Sequence, residues 1–234
     1  MAKKTPLVLL PGMLCDGRMW QAQVSDLAAI CDPLIIGDIS RASSIRKIAQ
    51  QVLATAPGHF ALAGLSMGGI VALEIVRQAP ERITHLALLD TNAYAEKPER
   101  QAKRAHEIDC AQVGQLRKLM IEQMKPLYLA KANRQNQTLL HLVLDMAMDL
   151  GPDVFERQSI ALRDRPDASG TLATIRCPTL VLCGAEDALC PVAYHQYMQS
   201  QIPNARLEII DNCGHLSALE CPQQVNTHLR QWLQ

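Results

Sequence analysis

Gly64-Leu65-Ser66-Met67-Gly68, with Gly69 behind it, is the stretch on which the fold turns. It matches G-x-S-x-G between an apolar run at 60–65 and a helical-length segment at 67–78. A serine on so tight a strand-to-helix turn is forced into a strained backbone conformation. Gly64 and Gly68 flank it because a Cβ at either place would collide. The serine Oγ then stands above a sheet edge, and the backbone N–H of Met67 faces a reacting carbonyl. The bland alternative is a Gly-rich turn with an incidental serine, and a strand before and a helix after argue against it.

Working outward, the same alternation recurs. Short apolar runs at 7–10, 34–36, 60–65 and 83–89 end in Gly, Asp or Ser, with helical-length segments at 18–30, 44–56 and 67–78 between them. It returns with a strand at 179–183, a helix at 192–201, a strand at 206–210 and a closing helix within 222–233. Continuous apolar runs joined by helices are what a parallel sheet covered on both faces requires. Six strands in an α/β layer architecture are expected.

The middle of the chain differs. From about Tyr94 to Asp167 no run reads as a strand. Val113, Leu116, Met120 and Met124 fall at helical spacing, as do Leu139, Leu142, Val143 and Met146. Gly151-Pro152 and Arg165-Pro166-Asp167 read as breakers, with a short helix over 153–162 between them. An all-helical insertion between two strands reads as a cap, so residues 1–92 and 168–234 are expected to form the core and 93–167 the cap.

Composition narrows the partners. The chain has 234 residues, with 23 Lys and Arg against 23 Asp and Glu, and 48% are hydrophobic. That excludes intrinsic disorder and argues against nucleic acid, which needs clustered positive charge. Two Trp, four Tyr and two Phe are too few for a base-stacking platform or a membrane belt. Lys3 and Lys4 precede an apolar run that Pro11-Gly12 stops well short of a signal-peptide core. The eight cysteines include no C-x-x-C pair, so free thiols in a cytoplasmic protein are expected, with no zinc site.

A serine hydroxyl is a poor nucleophile until a base takes its proton. Of seven histidines, His215 in Asn212-Cys213-Gly214-His215 follows the last expected strand, where a loop can overhang the sheet. The other six lie in or beside strands or on helices, as structural histidines do. The base needs a carboxylate to orient it, and Asp187 in Gly184-Ala185-Glu186-Asp187 is the best candidate. Glu186 and Asp90 compete for that role, and each could equally be a solvated loop carboxylate. Cys213 is a poor substitute nucleophile, lacking an elbow of its own.

The order Ser66, Asp187, His215, each beyond a strand's carboxyl end, resembles the α/β-hydrolase superfamily along essentially the whole chain. Residues 11–20, Pro-Gly-Met-Leu-Cys-Asp-Gly-Arg-Met-Trp, are similar to the start of small esterases and enol-lactonase-like members. The resemblance implies Ser66 as nucleophile, Asp187 as acid and His215 as base. It implies that Met13 supplies the second oxyanion N–H beside Met67. Members usually carry His-Gly where this chain has Pro11-Gly12, a departure that a backbone donor survives. The implied fold is an α/β-hydrolase fold with a shortened, six-stranded, wholly parallel sheet in the order 2-1-3-4-5-6 and an all-helical cap. The chain reaches its first strand too soon for the β-hairpin that opens larger members.

The expected chemistry is acyl transfer from a small carboxylic ester or lactone to water. A carbon–carbon hydrolase, a thioesterase, a cofactor-free perhydrolase, a menaquinone-pathway-type lyase or a non-enzymatic receptor would use the same constellation. Aspartate-nucleophile dehalogenases and epoxide hydrolases are excluded by Ser66. Leu- and Met-rich cap helices suggest an apolar pocket or ordinary packing. Arg157, Arg163 and Arg165 are candidates for a substrate carboxylate, against the commoner solvated arginine. No cofactor or metal is expected: Gly64–Gly69 lacks the Lys-Ser/Thr of a phosphate loop.

Overall fold

Strand β1 (Thr5–Leu10) leads through a 3-10 turn (Gly17–Trp20) to α1 (Gln21–Leu27), β2 (Cys31–Ile36), α2 (Ile45–Thr55), β3 (Phe60–Leu65), α3 (Met67–Gln78) and β4 (Ile83–Leu89). The chain then leaves the sheet for α4 (Pro98–Cys110), α5 (Leu116–Leu119), the long α6 (Gln137–Arg163) and α7 (Ser169–Leu172). It returns as β5 (Thr179–Gly184), α8 (Val192–Gln201), β6 (Arg206–Ile210), α9 (Ser217–Glu220) and α10 (Pro222–Trp232). This computed structural model describes residues 4–124 and 127–234. Lys3 of the N-terminal basic pair lies outside the described residues.

The sheet has six strands in the order β2-β1-β3-β4-β5-β6, and every neighbouring pair is parallel. Strand residues alternate between two cores. Leu7, Leu9, Ala61, Ala63, Ala87 and Leu89 face the side of α1 and α10. Val8, Leu10, Phe60, Leu62, Leu86 and Leu88 face the side of α2, α3 and α8. Both faces being buried explains why these strands read as unbroken apolar runs. The chain turns to opposite sides after β1 and after β3. The crevice between those strands' carboxyl ends is where such sheets bind ligands.

Three expectations need correction. The helix expected over 18–30 is only α1, because Asp16 accepts the Arg18 N–H at 2.9 Å and winds the preceding residues into the 3-10 turn. Strand β2 begins at Cys31 and runs through Pro33. A proline costs no ladder bond on an outer strand, and β2 is the sheet's edge. The stripe beginning at Val113 is broken there: Gly114 takes φ +84° and Val113 is 71% exposed, while Leu116, Met120 and Met124 are buried. Gly151 and Pro152 break α6 as expected, with Gly151 at φ +78°. Among the described residues no strand interrupts the helical stretch between β4 and β5.

The elbow glycines are set by close backbone approach. A Cβ on Gly68 would lie 2.2 Å from the Leu10 carbonyl oxygen, and one on Gly64 would lie 2.3 Å from that of Gly68. Neither neighbour is a side chain that can swing away. Gly68→Ala is therefore expected to cost about 3 kcal/mol, the upper end of overpacking, lowering Tm by roughly 6–12 °C. A thermal melt checks this, and an unchanged Tm would contradict it.

Candidate active site

Ser66 sits between β3 and α3 at φ +55°, ψ −115°, a conformation that side chains rarely adopt. Its surroundings hold it there: its N–H donates to the Leu89 carbonyl at 2.9 Å, and its own carbonyl accepts from Thr91 Oγ1 at 2.7 Å. Thr91 is fixed in turn by its N–H donating to His195 Nε2 at 2.9 Å. His195 is fully buried, with its pKa pushed down to about 4 by burial. It is a neutral structural histidine, as the sequence suggested.

The loop after β6 brings His215 to the serine: Nε2 lies 2.8 Å from Ser66 Oγ, and Nδ1 lies 2.8 Å from Asp187 Oδ2. An ionised Asp187 only accepts, so Nδ1 carries the proton and Nε2 is free to accept from Oγ–H. Asp187 Oδ1 is held by the N–H groups of Leu189 and Cys190, both at 2.8 Å. Burial alone would push the His215 pKa down. The charge of Asp187 and its hydrogen bond outweigh that and carry the pKa up.

The two competing carboxylates face elsewhere. Glu186 Oε2 accepts the Lys131 N–H at 2.9 Å. Asp90 is buried and clamps the two loops together. Oδ1 accepts from Gly184 N–H at 3.1 Å, and Oδ2 accepts from Ser217 N–H at 3.1 Å and Ser217 Oγ at 2.5 Å. Burial first, and the neighbouring Asp187 second, push its pKa well above the usual carboxylate range. Cys213 is wholly buried and burial pushes its thiol up, so it offers no thiolate.

Ser66, His215, Gly12, Met13 and Met67 line one cavity of about 440 Å³ beneath the helical stretch. Among the described residues no protein acceptor meets the N–H of Met13 or Met67, so both are free to receive an oxygen. Of the three arginine candidates, Arg165 lines the cavity, whereas Arg157 and Arg163 do not. Arg157 Nε donates to the Ser40 carbonyl at 2.9 Å, and Arg163 pairs with the adjacent Asp164. The donor atoms of Asp187, Cys190 and His215 lie within 4.8 Å of one another. Two of them already face each other, and burial drives the Cys190 thiol away from the thiolate a metal needs.

Sequence reasoning missed two supporting residues. Gln158, buried on α6, accepts the Leu14 N–H at 2.8 Å and donates to the Ile39 carbonyl, tying the loop after β1 to the helices above it. Glu220 accepts from Gly214 N–H at 2.8 Å and from Ala130 N–H at 2.9 Å, joining the histidine loop to the same helical stretch. A glutamine inside a helix and a glutamate on a short one carry no signal in sequence alone.

A family model described as the alpha/beta hydrolase family matches residues 7–228. A pimeloyl-[acyl-carrier protein] methyl ester esterase of Aromatoleum aromaticum is 26% identical over 93% of this chain and 93% of its own length. The structure of a thermophilic esterase from Thermogutta terrifontis superposes with a TM-score of 0.89 at 27% identity, over 99% of this chain and 90% of that one. An enol-lactonase from Burkholderia xenovorans, at 19% identity and a TM-score of 0.86 over 99% and 92%, shares the fold.

Proposed function

The chain belongs to the alpha/beta hydrolase family, and from that premise we propose that it is a serine hydrolase cleaving small carboxylic esters or lactones. The observation that carries this reading is the continuous pair of 2.8 Å hydrogen bonds from Asp187 through His215 to Ser66, opening on a cavity. Named esterases among its relatives support it. Residues 93–167 act as the cap and residues 1–92 and 168–234 as the core. Among the described residues no helix is long and apolar enough to cross a membrane. All eight cysteines are free, as the cytoplasm would keep them, and we place the enzyme there.

His215 Nε2 takes the proton from Ser66 Oγ as the oxygen attacks the carbonyl carbon. The oxyanion forms between the N–H groups of Met13 and Met67, where a single donor is worth about 3–4 kcal/mol in comparable sites. Collapse of the tetrahedral intermediate breaks the bond to the alkoxy oxygen, which leaves with the proton from Nε2. Water then attacks the acyl-enzyme, giving its proton to His215, and the acid leaves as Ser66 recovers its proton. Asp187 stays ionised throughout and steadies the imidazolium.

The test is turnover of a p-nitrophenyl ester series, acetate to decanoate, with kcat/KM followed against pH. His215 works only when neutral, so activity falls as pH drops through its pKa. Since that pKa is raised, the acid limb should bend above 6.5, the ordinary value. A rate flat between about pH 5 and 8 would contradict His215 as the base.

A further inference from the structure

The cap side of the cavity carries more positive charge than its carboxylates neutralise. Arg104 on α4 and Arg165, just beyond α6, share Glu96. Arg104 Nε donates to Oε2 at 2.7 Å, and Arg165 Nη1 and Nη2 donate to Oε2 and Oε1 at 3.0 and 3.2 Å. Arg100 and Lys103 share Glu107, at 2.7 and 3.8 Å. All four cations line the cavity with Ser66 and His215, and among the described residues the lining's remaining cation and carboxylate, Lys97 and Glu99, cancel. The side chains of Arg100 and Lys103 are 31% and 52% exposed, so water screens that second excess. Arg104 is only 7% exposed, so water screens it far less.

The donors of Arg104 are also under-used. A guanidinium has five N–H groups. Nε of Arg104 meets Glu96, whereas Nη1 reaches only the thioether sulfur of Met13 at 3.8 Å, a weak acceptor. Nη2 meets no acceptor among the described residues. Arg165, by contrast, uses four of its five, adding the carbonyls of Tyr94 and Leu162 to Glu96. Burial holds the Arg104 guanidinium below its ordinary pKa even against the pull of Glu96, with Arg100 and Arg165 repelling it. A buried cation left half-paired is costly unless a counter-ion arrives. Met13 links the two regions: it lines the cavity with Ser66, and its sulfur lies 3.8 Å from Arg104 Nη1.

We infer that the natural substrate is an ester or lactone carrying a free carboxylate a few carbons from the scissile carbonyl, and that Arg104 binds it. The single excess charge suits a monoanion, and the planar guanidinium fork matches a carboxylate's two oxygens. The inference rests on the reading of Ser66 as an ester hydrolase, and the experiment separates the two.

Arg104→Met leaves Arg165 and Glu96 as a one-to-one pair, so no new buried charge is stranded. Arg104→Lys keeps the charge but loses the fork. The first readout is kcat/KM for p-nitrophenyl hydrogen adipate relative to p-nitrophenyl hexanoate. Arg104→Met should lower that ratio about tenfold or more, and Arg104→Lys should restore part of it. An unchanged ratio would overturn the inference, because a merely structural arginine would affect both esters alike. The second readout is calorimetric binding of monomethyl adipate, a monoanion, to Ser66→Ala, weakened about tenfold or more by adding Arg104→Met. Arg104-dependent binding without any ester turnover would sink the hydrolase and leave the carboxylate site standing. Turnover without selectivity or binding would do the reverse.

Discussion

Ser66→Ala should lower kcat on p-nitrophenyl esters by about 10⁶-fold, leaving a residue of turnover near 10³-fold over water. On the proposed mechanism Oγ is the atom that forms the acyl-enzyme, and no neighbouring thiol can replace it. Cys213 is buried with its thiol pushed up, and Cys15, which also lines the cavity, is pushed up to about 12 by burial and then by Asp16. Among the described residues Ser66 Oγ hydrogen-bonds only His215, so the fold should survive and Tm should stay close to wild type. Turnover at wild-type rate in a folded Ser66→Ala protein would end the acyl-enzyme mechanism.

Asp187→Asn should cost about 10⁴-fold in kcat, and the reason is legible in the hydrogen bonds. Oδ1 faces two backbone donors, the N–H groups of Leu189 and Cys190, so the amide must keep its oxygen there. Its NH₂ then faces His215 Nδ1 and donates to it. That forces the imidazole proton onto Nε2, where it faces Ser66 Oγ as a donor and can no longer accept. The geometry persists in the wrong tautomer. Substrate affinity should change little, because Asp187 lies behind His215 and does not line the cavity. A loss below about tenfold, measured as kcat at saturating ester, would contradict the assignment of Asp187 as the orienting acid.

The parts of this protein visible in its sequence are those with local causes. β3 and α3 begin and end where the apolar run, the elbow glycines and the helical period say they should. β4, α8 and β6 likewise match their sequence-read limits. Errors arose where one contact reset a boundary: the Asp16 cap before α1, the edge position of β2, and the left-handed Gly114 that breaks a helical stripe. The Arg candidates show the same limit. Arg163 and Arg165 are two residues apart, yet one is tied to Asp164 and the other lines the cavity.

Sequence alone determined the elbow, the parallel sheet and the family resemblance, because glycine stereochemistry and burial periodicity act within a few residues of chain. It put Asp187 ahead of Glu186 and Asp90 as the acid, but gave no distance from any of them to His215. Tertiary structure decided their neighbours: it turns Glu186 to Lys131, buries Asp90 between two loops and aims Asp187 at His215. It alone set two guanidinium groups against Glu96 above Met13. Charge balance in a cavity is a sum over residues far apart in the chain, and their distances exist only once it has folded.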